Sequence, residues 1–155
     1  MTLIGTHDTG SFNLTENIMP GALPDWADDI INFGEEIGLP SDYLLKIWSQ
    51  TQPNNIYYQL LNGSRYFDFR CGWLNDTSQW VMYHHQIGQP LSLLLNQLDS
   101  YLSDPKYKNE IIVIEIQWIA GDPTQEAIQY LVNNFTSLFN DILLPKNNYT
   151  NTFPT

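Results

Sequence analysis

Hydrophobic and polar positions divide the chain into a series of short elements. Residues 1–8 read as a strand that runs out into polar Thr6-His7-Asp8, and Thr9-Gly10-Ser11 is turn material. Residues 12–50 form a long connection containing Pro20-Gly21, Pro24 and Pro40, with helices expected over about 25–37 and 41–49. In the first of these helices Trp26, Ile30, Phe33 and Ile37 recur at helical spacing, opposite an acidic side made of Asp25, Asp28, Asp29, Glu35 and Glu36. Such a segment reads either as a solvated helix packed by its stripe or as a lid over a site. Residues 54–61 predict a helix closed by Asn62-Gly63.

The stretch 65–71, Arg-Tyr-Phe-Asp-Phe-Arg-Cys, predicts an aromatic-rich strand. Its period of two puts Tyr66, Asp68 and Arg70 on one face and Phe67 and Phe69 on the other. A polar loop over 72–79 and a strand over 80–84 follow, the latter ending in His84-His85. A helix over about 91–102 carries Leu91, Leu94, Leu95, Leu98 and Leu102 on one stripe. Residues 110–118 predict the strongest strand, with Ile112, Ile114 and Ile116 facing one way and Val113, Glu115 and Gln117 the other. The last helix is expected over about 124–143, and the tail 145–155 is expected to fray. Strands alternating with helices predict an α/β fold with a parallel sheet. The link between the second and third strands is too short for a helical crossover. Either it is an irregular loop or these strands are not βαβ neighbours. Polar residues end strand after strand on one side, as in barrel enzymes, and four strands make half of an eight-stranded barrel.

Composition narrows the possible partners. With 6 Lys and Arg against 17 Asp and Glu the net charge is −11, which excludes nucleic acid and a broad electrostatic grip on anionic membrane. No apolar run reaches the length of a membrane span. Met1 stands almost at the first strand with no signal peptide, as in a trimmed or incomplete chain. The single cysteine, Cys71, excludes an internal disulfide. Asn-x-Ser/Thr sequons at Asn13, Asn62, Asn75, Asn134 and Asn148 exceed the roughly two expected by chance and favour the secretory pathway or an extracellular location.

The candidate chemistry lies where polar groups end strands: His7-Asp8, Asp68 with Arg70, and His84-His85. Alone, Asp68 and Arg70 read as a structural ion pair. In order and spacing, Leu3-Ile4-Gly5-Thr6-His7-Asp8-Thr9-Gly10-Ser11-Phe12, Thr51-Gln52, the run from Gln59 to Arg70, and Tyr83-His84-His85 resemble the X region of phosphatidylinositol-specific phospholipase C and its X-domain-containing relatives. The resemblance implies the first half of an irregular TIM barrel over residues 1–144. It implies a phosphodiesterase of the phospholipase C, lyase type, acting on phosphatidylinositol or a related phosphodiester with transient membrane-surface contact.

By the same resemblance His7 is the general base, His84 the general acid and Asp8 the partner that orients His84. Arg70 stabilises the phosphorane-like transition state, and Asp68 holds the arginine. Arg70, Glu115 and Gln117 are candidate substrate-binding residues. His85 is the second candidate for the acid. In-line displacement at phosphorus needs a base and an acid titrating near neutrality, and a fixed guanidinium suits the charge on the non-bridging oxygens. Arg70 stands where calcium-dependent relatives carry a carboxylate, and Gln117 where they carry a glutamate, so no metal and no cofactor are expected. The alternative is a catalytically inactive X-domain relative that binds phospholipid headgroups. A metal-dependent phosphodiesterase on the same barrel is disfavoured by Arg70.

Overall fold

The computed structural model describes residues 3–23 and 27–143. The expectations placed on Asp25, Trp26 and the tail 145–155 lie outside the described residues. The sheet is built on β2 (Tyr66–Leu74), whose Phe67, Phe69 and Cys71 are fully buried on one face while Tyr66, Asp68 and Arg70 occupy the other. β1 (Gly5–Thr6) and β5 (Val113–Ala120) pair with it in parallel, and β3 (Gln79–His84) pairs antiparallel. β5 runs along one edge of β2, so β1 and β3 share the other edge, at opposite ends. β4 (Gln86–Pro90) adds antiparallel to β3. The result is an α/β fold with a curled, open half-barrel sheet of five strands.

Three expectations change. The first strand is two residues long rather than eight, because the chain turns at Asp8. The sheet is mixed rather than parallel, since the second and third strands form an antiparallel hairpin, the alternative in which they are not βαβ neighbours. Gly72-Trp73-Leu74 continue β2, Gln79 begins β3, and Ser78 closes the turn at φ +51 with its amide donating to Asn75 O. Trp73 sits opposite Trp80 with ring centroids 5.3 Å apart, a cross-strand aromatic pair of the kind that contributes roughly 0.2–1 kcal/mol. β4 is an extra strand, too short and too polar in Gln86-Ile87-Gly88-Gln89-Pro90 to show a clear alternation.

Helices α3 (Ile56–Leu61), α4 (Leu91–Leu102) and α5 (Gln125–Phe139) cover the apolar face of the sheet. Leu91, Leu94, Leu95 and Leu98 of α4 pack there with Ile56, Leu60, Phe67, Phe69, Met82 and Leu131. Thr124 caps α5 by accepting from the Ala127 amide, and Trp80 donates to Ala127 O across the layers. Helices α1 (Ala27–Ile37) and α2 (Ser41–Ser49) form a separate hairpin, packed through Ala27, Ile31, Leu44 and Leu45. Of the stripe expected to pack α1, Phe33 and Ile37 are exposed, and the helix packs against α2 through Ala27 and Ile31. Along the open side Ile116, Trp118 and Ile119 of β5 are also exposed.

Cys71 lies wholly inside this core, and burial pushes its thiol up to about 12. A raised folded-state value favours the protonated form, so this contribution is complete at neutral pH and is lost as pH climbs from the ordinary thiol range toward 12. We expect urea stability to decline between pH 8 and pH 10.5 (values chosen to bracket roughly the ordinary thiol range), and Cys71→Ala to lower overall stability while flattening that decline. An equal slope in the variant would show that other groups cause the alkaline loss.

Candidate active site

The polar face of β2 and the turns beside it gather the ionisable groups. Directly after β1, Asp8 takes a left-handed conformation at φ +48, which Asp tolerates better than most residues. The turn is held by the Thr9 amide donating to Asp68 O at 3.0 Å and the Ser11 amide donating to Asp8 O at 2.9 Å. His7 is sent outward, with its side chain 65% exposed, and Asp8 is turned inward, wholly buried. Gly10 permits this close approach, since a Cβ there would lie 2.5 Å from Met82 Cβ. Thr51 and Gln52 fix the His7 backbone by donating to its carbonyl at 3.1 and 2.7 Å.

Three cationic or ionisable groups meet the Asp8 carboxylate. Arg70 places Nε against Oδ1. His7 Nε2 and His84 Nε2 lie 3.1 and 3.3 Å from Oδ2. Arg70 is not at a strand end, as the sequence suggested, because β2 runs on to Leu74. His84 reaches it because β3 is antiparallel and brings its last residue back beside the middle of β2. The expected pairing of Asp68 with Arg70 is replaced: Arg70 contacts Asp8, whereas Asp68 Oδ2 lies 2.9 Å from His7 Nδ1. Both carboxylates are buried, and the left-handed turn at Asp8 is what aims its carboxylate at Arg70.

His84 Nδ1 lies 2.6 Å from the carbonyl oxygen of Ser49, at the end of α2. A carbonyl only accepts, so Nδ1 bears the proton there and Nε2 faces Asp8. Burial lowers the His84 imidazole below its ordinary value, against the pull of the Ser49 carbonyl and the Asp8 charge. Burial likewise raises the Asp8 carboxyl, against the attraction of His84, Arg70 and His7. The two titrate as one unit. His85 sits at φ +62, stacked on His84 at 4.6 Å, with Nδ1 2.9 Å from Ala22 O rather than on Asp8.

The remaining candidates lie on β5. Glu115 accepts from the Tyr66 hydroxyl, and Gln117 reaches Asp68. Sequence reading missed Ser49 and Tyr66; a backbone carbonyl leaves no residue signature, and a tyrosine on a strand is ordinary. His7, Asp8 and Asp68 bring ligand atoms within 4.8 Å of one another. Two carboxylates fall short of the six to eight oxygens calcium takes, and the guanidinium on Asp8 opposes a cation.

No family model matches the chain. It is 29% identical over 116 residues to the variant-surface-glycoprotein phospholipase C of Trypanosoma cruzi, covering 74% of this chain and 30% of that protein. A PI-PLC X-box domain-containing protein of Dictyostelium discoideum is 30% identical over 114 residues, 74% of this chain and 14% of its own length. Among solved structures, a variant of the Staphylococcus aureus phosphatidylinositol-specific phospholipase C superposes with TM-score 0.54 at 26% identity, over 85% of this chain and 37% of that one. The chain thus spans less than a third of the curated relatives and about two fifths of the solved chain. The half-barrel sheet corresponds to part of that solved phospholipase C fold. The chain is a member of the phosphatidylinositol-specific phospholipase C X-domain-like family.

The closeness of the Asp8 carboxylate to His84 predicts a titration with a definite sign. Nitrogen-15 NMR should find His84 ionising below the ordinary imidazole value. Asp8→Asn should move it lower still, because the charge that favours the imidazolium is gone. An upward move would show that the carboxylate does not act on His84.

Proposed function

We propose that the chain carries the catalytic half of a metal-independent phosphodiesterase of the phospholipase C type, which cleaves phosphatidylinositol or a related phosphodiester. The observation that carries this reading is the single buried carboxylate, Asp8, with two imidazoles and a guanidinium set around it. His7, exposed, takes the proton from the attacking hydroxyl as its Nε2 turns from Asp8 to substrate. His84, held by Ser49 at Nδ1 and by Asp8 at Nε2, enters the step as the imidazolium and gives its Nε2 proton to the leaving glycerol oxygen. Arg70 stabilises charge on the non-bridging oxygens, with a fork that a lysine does not reproduce. Glu115 and Gln117 stand on the neighbouring strand beside the same face.

A lipid substrate is supported by a second feature. Between α1 and α2 a cleft of about 390 Å³ is lined by Asp29, Phe33, Leu44, Ile47 and Trp48, and Trp48 is 70% exposed. Exposed apolar clusters of this kind mark sites that meet an apolar partner. Among the described residues no helix is long and apolar enough to cross a membrane, so contact here is peripheral. With a net charge of −11 the fit is to a zwitterionic surface rather than an anionic one.

Phosphorus NMR with phosphatidylinositol tests the reading: a cyclic inositol phosphate signal is expected, unchanged by chelator. His7→Ala and His84→Ala should each lower turnover by about 10²-fold or more, and His85→Ala far less. Arg70→Lys should be severely impaired. Headgroup binding without any product would favour the inactive relative. Loss of turnover in chelator, restored by calcium, would return the metal-dependent alternative. On phosphatidylcholine vesicles Trp48→Ala should weaken binding while leaving cleavage of a short-chain, monomeric substrate near wild type; equal loss on both would remove the membrane role of α2.

A further inference from the structure

We propose that Thr51 is a positioning residue that sets the spacing of base and acid, as the middle of a strap, residues 49–52, that grips both histidines. This deepens the reading above and rests on His7 and His84 being base and acid. The strap begins at the last residue of α2, where the Ser49 carbonyl accepts from His84 Nδ1 at 2.6 Å. At its other end Thr51 and Gln52 donate to the His7 carbonyl at 3.1 and 2.7 Å, through Oγ1 and Nε2. A carbonyl oxygen has two lone pairs, so these two donors fill it.

Thr51 is also locked to Ser11. The Thr51 amide donates to Ser11 Oγ at 3.1 Å, and the two hydroxyl oxygens lie 2.8 Å apart. Counting protons orders the set. Thr51 gives its hydroxyl proton to the His7 carbonyl, so Ser11 donates to Thr51 Oγ1 while accepting from the Thr51 amide. Ser11 is buried, and its own amide donates to Asp8 O, which ties the strap to the turn that aims Asp8. Such fastening matters because Asp8 attracts both imidazoles without directing them. Neither Asp8 oxygen accepts an aligned hydrogen bond among the described residues. Charge keeps the rings near the carboxylate, and the directional bonds of the strap set where the base residue and the acid ring stand relative to each other. Catalysis is sensitive to displacements on the order of 1 Å, so that spacing bears on rate.

The test reads the Nδ1 proton of His84 by proton and nitrogen-15 NMR of the full chain without substrate. In wild type it should be a downfield ring N–H that exchanges slowly with water. Thr51→Val, at an exposed position, keeps the size of the side chain and removes the hydroxyl. It should move that signal upfield and speed its exchange on the order of ten-fold, the scale of one lost hydrogen bond. Thr51→Ser should restore both. Ser11→Ala opens the same lock from the other side and keeps the test decisive if Thr51→Val fails to fold. It should give the same change, and the double variant little more than either alone. With phosphatidylinositol, Thr51→Val should lower kcat by about ten-fold with little change in KM, and Thr51→Ser should recover it. A His84 signal unchanged in Thr51→Val and Ser11→Ala, or a Thr51→Ser variant as impaired as Thr51→Val, would overturn the proposal whatever the turnover. A wild type without turnover, in which the His84 signal responds as expected, would overturn the enzymatic reading and leave the strap standing.

Discussion

A carboxylate removed from water has to be surrounded by positive charge, and the rest of the polar face is arranged around that need at Asp8. Neither of its oxygens accepts an aligned hydrogen bond among the described residues; the contacts with Arg70, His7 and His84 take that place. Each comes from a different piece of chain. Asp8 itself has to enter a left-handed conformation to point inward, β2 has to present Arg70 from mid-strand, and β3 has to return antiparallel to deliver His84. The apolar side of the same strand, through Phe67, Phe69 and Cys71, anchors that geometry in the core.

The two carboxylates divide their partners. Asp8, the deeper, takes the permanent cation and both imidazoles. Asp68 takes neutral donors, an amide side chain and a backbone N–H, together with one face of His7. A guanidinium already on Asp8 does electrostatically what a bound cation would do, and the two would repel each other. Within the proposed mechanism, a single Asp8 oxygen between both imidazoles keeps base and acid no further apart than two hydrogen-bond lengths, close enough to flank one phosphodiester.

Much of this was legible from residues. The period-two pattern of 65–71 separates core from site correctly, and the leucines of 91–102 pack as their spacing implies. His7, Asp8 and His84, at strand ends that can be picked out by eye, converge on Arg70 in the middle of β2. What escaped is conformational. Nothing in Cys71-Gly72-Trp73-Leu74 announces that the strand continues into a hairpin, because a glycine and polar neighbours read as a stop. The bulge at Gln117 breaks the alternation of β5, and Ile116, Trp118 and Ile119 around it are all exposed along the open side of the sheet. The exchange of partners between Asp68 and Asp8 depends on one left-handed residue, and φ is invisible in a sequence.

The hydrogen bond between His84 and the Ser49 carbonyl has a consequence for how sequences of this kind diverge. The group that fixes the imidazole belongs to the backbone, so the hydrogen bond itself asks nothing of the side chain of residue 49, which its burial alone restricts. The length of α2 is not free. Each residue inserted or deleted rotates the final carbonyl by about 100° around the helix axis, away from the ring. The hydrogen bond to His84 therefore constrains the spacing between Pro40 and Thr51, a requirement separate from the burial of Leu45 and Ser49 within it. Residue-by-residue comparison weighs substitutions and would not register the constraint; a count of residues between the two landmarks would.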